Sequence, residues 1–280
     1  MQKHTKKYFP IFLLPTLVAF IVAFIIPFIL GIILSFTKFT TVIDAKWIGL
    51  GNYIEAFSNK EFLNALIFTV KFTVVSVITI NFFAFLFALL LTRKVKGTNI
   101  FRTIFFMPNL IGGIVLGYIW QLIINGVLYK FGVTLTFKPE YGFWGLVILM
   151  NWQMIGYMMV IYIAGIQNIS KELIEAAKID GATSFQVLRK LTIPLVMPSI
   201  TICLFLTLSN SFKLFDQNLA LTAGAPSKKT AMLALDIYNT FYGSTGGEGV
   251  GQAKAVIFFL IVAIVAFIQL SFTRRKEEEN

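Results

Sequence analysis

The stretch Lys171–Pro198, KELIEAAKIDGATSFQVLRKLTIPLVMP, is the longest polar, helix-forming segment of a chain that is otherwise mostly lipid-soluble. From Lys171 to Lys178 it consists of good helix formers, with Ser170 placed as an N-cap. Glu172 and Glu175 fall in the first turns, where a helix N-terminus favours negative charge. Gly181 supplies the positive φ that ends this helix. Thr183 or Ser184 then caps a second helix, expected to run to Lys190 and to stop before Pro194. Two short helices meeting at a bend are therefore expected. Ile174, Ala177 and Ile179 offer small or apolar contacts by which the first helix docks sideways into a groove on another protein. The other reading is an amphipathic hairpin on lipid headgroups, anchored by Lys178, Arg189 and Lys190. Ala176, Ala177 and Ala182 are small for membrane anchors, which favours docking.

Composition frames that loop. The chain is 57% hydrophobic and 13% charged, with 30 Phe and a mean hydropathy of +0.81, far from the averages of soluble domains. Apolar stretches long enough to cross a hydrocarbon core of ~30 Å lie at about 11–36, 62–91, 104–125, 143–165, 195–219 and 255–272. The expectation is an all-α polytopic membrane protein with six transmembrane helices. The first is not read as a removable signal peptide, because its apolar stretch exceeds a typical h-region, contains Pro15 and Pro27, and no small-residue cleavage site follows. The expected organisation is a tail, first helix and extracytoplasmic segment over 1–61, a five-helix core over 62–272 that includes the polar loop 168–197, and a cytoplasmic tail over 273–280.

Lys and Arg before Pro10, in Arg93–Arg102, in Lys171–Lys190 and in Arg274–Lys276 outnumber those in the three longer connecting stretches on the other side. The bias places both termini and the polar loop in the cytoplasm. The net charge of +11 then calls for no nucleic-acid partner, since the inner-face excess orients the helices and meets anionic membrane lipid.

Within the loop, Glu175-Ala176-Ala177, three residues, Gly181, nine residues and Leu191-Thr192-Ile193-Pro194 resemble the cytoplasmic EAA loop of permease subunits in bacterial binding-protein-dependent ABC importers. That pattern closes on Ile-x-Leu-Pro; here Leu191 and Ile193 are exchanged, which keeps shape and polarity. The resemblance extends along nearly the whole chain and narrows to the carbohydrate permeases of the maltose, lactose and glycerol-3-phosphate type. Phe39, Ile48-Gly49-Leu50-Gly51-Asn52-Tyr53 and Phe57 are similar to that subfamily's first extracytoplasmic segment. Arg102-Thr103-Ile104-Phe105-Phe106-Met107-Pro108 is similar to the start of its third helix. Phe212 to Asp216 and Leu221-Thr222-Ala223-Gly224-Ala225-Pro226 are similar to its fifth helix and the turn beyond, where Ala223 and Ala225 replace two of the usual glycines.

The resemblance implies a MetI-like permease fold in a bacterial plasma membrane, and a sugar or oligosaccharide as substrate. It implies four kinds of partner: a second, homologous permease subunit, two ATPase subunits carrying ATP and Mg2+, an extracytoplasmic solute-binding protein, and the small-molecule sugar. No cofactor is implied on this chain. Glu172, Glu175, Ala176, Ala177, Asp180 and Gly181 would form the helix that couples to the ATPase. Glu175 would face a basic or backbone donor, Ala176 and Ala177 would permit close approach, Gly181 would set the bend and Asp180 would brace it.

Polar residues inside the spans mark where a hydrophilic substrate could be held. In the fifth span Thr207, Asn210, Ser211 and Leu214 share a face by their i, i+3, i+4, i+7 spacing, and in the fourth Gln153 and Tyr157 do so at i, i+4. Amides and hydroxyls beside Trp152 and Tyr157 suit a neutral polyol; the alternative is interhelical bridging. Asn81, Gln121 and Asn125 are weaker candidates. Lys213 and Asp216, expected on one helix, either pair or leave Lys213 to meet an anionic sugar or glycerol phosphate; Gln is usual where Lys213 stands.

Other chemistry finds little footing. Cys203 and His4 are the single residues of their types; with no His/Cys/carboxylate cluster and no nucleophile beside a base, neither a metal site nor catalytic residues are expected. Gly112-Gly113 and Gly243 to Gly251 lack the Lys-Ser/Thr of a phosphate-binding loop, so ATP hydrolysis is expected on another chain. A secondary transporter or channel remains the competing class, without the midplane acids that carry coupling ions.

Overall fold

A computed structural model describes residues 13–93, 97–243 and 246–278. The basic tail with His4, together with Lys94, Lys96, Ser244 and the last two residues, lies outside the described residues. Among those described the regular structure is helical apart from one two-residue antiparallel pairing, β1 (Thr37–Lys38) with β2 (Lys46–Trp47). The helices are α1 (Leu13–Leu34), α2 (Gly51–Ser58), α3 (Lys60–Leu91), α4 (Thr98–Phe106), α5 (Gly113–Leu128), α6 (Pro139–Gln167) and α7 (Lys171–Ile179). Then follow α8 (Ser184–Leu195), α9 (Met197–Phe212), α10 (Asp216–Leu221), α11 (Leu233–Gly243) and α12 (Glu248–Glu278).

Among the described residues five helices are long and apolar enough to cross a membrane, and α8 with α9, bent by 69° at Val196, make a sixth, broken span. The broken span departs from expectation at both ends. Rather than stopping before Pro194, the polar loop's second helix continues through it to Leu195. It does so by passing through a π-helical turn at Leu188–Thr192, and α1 carries a similar turn at Ile21–Ile25 just ahead of Pro27. Proline lacks the N–H for an i−4 bond and its ring crowds the i−4 carbonyl; widening the preceding turn moves that carbonyl aside. At the far end the helix stops at Phe212, and Asp216 opens α10 instead of sharing a helix with Lys213. The third expected span is also interrupted, since Pro108 and Gly112 leave a 3₁₀ turn at Met107–Leu110 between α4 and α5.

The chain divides into two compact units. One holds residues through Phe62 with Ile237–Phe259. In it Asn52 donates from Nδ2 to the carbonyls of Ser35 and Thr37 at 2.9 and 2.8 Å, and Phe28 meets Phe259 edge to face at 4.9 Å. Between α1 and α2 the amide N–H groups of Thr41 and Thr40 donate to Asp44 Oδ1, and the Thr41 bond above all holds the carboxyl below its ordinary range. Lys254, one residue ahead of the apolar stretch 255–272, lies within α12 at 1% exposure, donating to Thr240 Oγ1 at 2.8 Å above the Phe62 ring.

The other unit holds Leu63–Asp236 with the chain beyond Leu260. Its centre is α6, buried on nearly every side through Leu146, Leu149, Met150, Met158, Met159 and Tyr162. Gly156 lets α4 approach so closely that a Cβ there would overlap the Phe105 carbonyl. Gly113, Gly117 and Gln121 make one face of α5 against α10: a Cβ at Gly113 would come 2.7 Å from that of Asp216, and Gln121 donates to the Leu221 carbonyl at 3.0 Å. Small residues at four-residue spacing permit such contact where no hydrophobic drive separates helix from lipid.

Candidate functional site

The polar loop forms an elbow fixed by its own backbone. Ser170 caps α7, accepting from the Leu173 N–H. At the other end Gly181 takes φ +82°, its N–H bonds the Lys178 carbonyl at 3.1 Å, and the Ala182 N–H reaches back to Ala177 at 2.9 Å. This pair of bonds is a Schellman turn, which satisfies the last carbonyls of the helix. Thr183 then opens α8 with a reciprocal box: Gln186 N–H donates to Thr183 Oγ1 at 3.3 Å, and Thr183 N–H to Gln186 Oε1 at 2.7 Å. The N–H groups of Asp180, Gly181, Ala182 and Thr183 are thus all hydrogen-bonded, which ties the connection between the helices at each of its residues.

Glu172, Glu175, Ala176 and Asp180 are exposed along α7 and its cap, and Ala177 is half-buried. Ala177, Asp180, Gly181, Gln186 and Lys190 line a notch in the elbow of about 380 Å3. Ile174 was expected on the docking side but packs on the hydrophobic core. The outward apolar groups are Ile179 at 86% and Phe185 at 67% exposure; the sequence reading missed Phe185, whose signal was an aromatic ring in an otherwise polar loop.

A second candidate site is a cavity of about 290 Å3 lined by Asn109, Met150, Gln153, Met154, Asn210, Lys213, Leu214, Phe215, Asp216 and Gln217. Gln153, Asn210, Lys213 and Leu214 are thus brought together. Gln153 is 8% exposed; its Oε1 accepts from Gln217 Nε2 at 2.8 Å and its Nε2 donates to the Ile111 carbonyl at 3.4 Å. Asn210 spends its Nδ2 on the Leu206 carbonyl of its own helix. Lys213 and Asp216, of opposite sign, both stand exposed at the rim.

The remaining expected residues do not line this cavity. Thr207 is fully buried, donates to the Cys203 carbonyl at 2.7 Å and accepts from Asn81 Nδ2 at 2.9 Å, while Asn81 Oδ1 accepts from Tyr162. Three spans are joined there. Ser211 is buried and donates to the Met150 sulfur, and Tyr157 meets Phe106 edge to face. Asn125 accepts from the Leu135 N–H, so it closes a turn. Sequence reasoning missed Asn109, Gln217 and Asp216 as wall residues; Asn109 lies in the 3₁₀ turn after α4 and Asp216 and Gln217 open α10, beyond the helix break that the spacing within one span does not report. Among the described residues no group of three His, Cys, Asp or Glu side chains could hold a metal ion.

A kinked-span helical unit with a capped polar elbow and a polar cavity is the build of a transport permease, and comparison with known proteins gives the family. Residues 93–278 match the family described as binding-protein-dependent transport system inner membrane component, and the chain belongs to it. It is a multi-pass membrane permease. The chain is 47% identical over 278 residues, with 96% of it and 94% of the relative covered, to the "Probable starch degradation products transport system permease protein AmyD" of Thermoanaerobacterium thermosulfurigenes. It is 30% identical, over 99% of both chains, to the "Multiple sugar-binding transport system permease protein MsmF" of Streptococcus mutans. Its fold matches a chain from the crystal structure of a bacterial ABC transporter importing the acidic polysaccharide alginate, at TM-score 0.83 and 21% identity over 98% of each chain.

Proposed function

We propose that the chain is one of two different permease subunits of an ATP-driven importer of sugars or oligosaccharides. Two ATPase subunits carry ATP and Mg2+ below it, and an extracytoplasmic solute-binding protein delivers the substrate above. The observation that carries the reading is the α7–α8 elbow, a pair of helices whose caps and Schellman turn lock their angle. An element of fixed shape passes a displacement on rather than absorbing it. Closure of the ATPase pair around nucleotide pulls on α7, the elbow hands the movement through the bent α8–α9 span, and the cavity opens outward; hydrolysis returns it. The nucleotide biases one of two states, and the work comes from its binding to the partner. Both termini and the elbow lie on the cytoplasmic side in this arrangement, as the distribution of Lys and Arg favours.

The substrate class rests on the cavity wall. Four amides, Asn109, Gln153, Asn210 and Gln217, each donate and accept, which suits sugar hydroxyls. Lys213 and Asp216 offset one another in charge, which favours a neutral substrate. Products of starch degradation, after the name of AmyD, are the first to test. Transporter reconstituted with the ATPases and binding protein should take up a malto-oligosaccharide with ATP and not when the ATPase is omitted. Uptake without the ATPase would point to a secondary transporter. Uptake of glycerol phosphate or an acidic oligosaccharide in place of the neutral one would move the assignment to an anion, with Lys213 as its cation.

A further inference from the structure

Asn64, Ile67, Lys71, Val74 and Ile78 recur along α3 at intervals of three and four residues and share one helix face. That face is open: Ile67, Val74 and Ile78 are 52%, 53% and 63% exposed. In a membrane span such a stripe meets hydrocarbon, and a cation in its midst must snorkel or find an anion. A second cation stands beside the first. Lys229, from the connection between α10 and α11, lines with Lys71, Asn64, Ile67 and Phe68 a notch of about 230 Å3.

The notch is built rather than incidental. Leu233 N–H donates to Thr69 Oγ1 on α3 at 2.9 Å, and the fully buried Asn218 clamps the connection by donating to the Thr230 carbonyl at 2.8 Å and accepting from Met232 N–H at 2.9 Å. The backbone is therefore anchored just after Lys229, at Thr230, Met232 and Leu233, and the Lys229 side chain lines the same notch as Lys71. Among the described residues no carboxylate lines the notch, and both lysines and Asn64 are exposed.

We infer that this notch binds the phosphodiester headgroup of an anionic phospholipid of the phosphatidylglycerol type. Lys71 and Lys229 meet the phosphate, and the Asn64 amide donates to a headgroup oxygen. The acyl chains lie along Val74 and Ile78, which continue the same face. The apolar continuation commits the site to a lipid over a free anion, and the two cations favour a headgroup with uncompensated negative charge over a zwitterionic one.

The test is native mass spectrometry of the full chain in neutral detergent, titrated with phosphatidylglycerol or phosphatidylcholine. Phosphatidylglycerol should be retained preferentially. The double variant Lys71→Gln, Lys229→Gln should bind it about 30-fold more weakly, and each single variant several-fold, from the attraction of each basic residue to an anionic headgroup. Lys71→Arg with Lys229→Arg should keep the preference, and thermal unfolding without added lipid should be the same for all variants. Equal retention of the two lipids, unchanged binding by the double variant, or displacement of the lipid by millimolar inorganic phosphate would each overturn the proposal, the last by making the notch a free-anion site.

Discussion

Gln217 on α10 donates its amide to Gln153 Oε1 on α6 at 2.8 Å, joining two residues 64 apart in sequence on the wall of one cavity. Gln153 is buried and has one further bond, to the Ile111 carbonyl. Gln217→Leu removes the donor it relies on and, on the proposed substrate path, a donor available to sugar hydroxyls. Each lost bond to a neutral group is worth on the order of 1 kcal/mol, so the KM for uptake should rise several-fold. A fall in thermal stability with KM unchanged would mark the pair as a structural bridge only.

Asn210 faces the same cavity but is exposed and bonded to its own helix. Asn210→Leu should weaken transport several-fold and leave the unfolding temperature of the complex unchanged, since no partner is left orphaned. Lost stability with intact sugar affinity would count against a place on the substrate path.

Lys213→Gln separates the two substrate classes. Lys213 stands exposed at the rim close in sequence to Asp216, so a neutral sugar should be carried at a rate close to that of the parent. An anionic substrate would lose its counter-charge, and its uptake should be abolished.

Gly181→Val strikes the elbow. A β-branched residue at φ +82° costs on the order of 1–2 kcal/mol and is relieved by opening the Schellman turn. Membrane insertion should persist while ATP-driven uptake stops; uptake at the parental rate would remove this loop from the coupling path.

Ala223 holds φ +48° in the turn after α10, a conformation that glycine adopts without a Cβ penalty. Ala223→Gly should stabilise the detergent-solubilised chain by about 1 kcal/mol, read as a higher denaturation midpoint. An unchanged or lower midpoint would contradict the turn's geometry.

Sidedness is checked by impermeant thiol labelling of intact cells in a Cys203→Ala background. Ile43→Cys, in the connection after α1 where the parent side chain is 98% exposed, should label, and Ser184→Cys, exposed on the elbow, should not. Labelling at 184 would invert the topology.

The sequence by itself determined the membrane class and the elbow. Uninterrupted apolar length needs no partner to be read, because a span in lipid must satisfy its own backbone whatever surrounds it. Ser170, Gly181 and Thr183 act on atoms within four residues of themselves, so their caps follow from local chemistry. The spans containing Pro108 and Pro194 were not legible in that way. Proline breaks one helix into a 3₁₀ turn and passes through another behind a π turn, and the surroundings decide which. The cavity is tertiary for the same reason: its walls join the middle of α6 to the end of α9, the start of α10 and the turn at Asn109, and Thr207, aligned with Asn210 by spacing, is taken up by Asn81 and Tyr162. Lys254 is the extreme case, since a lysine at the edge of an apolar run reads as solvated until Thr240 and Phe62 are folded over it. Periodicity assigns a residue to a face, but only packing decides what that face meets.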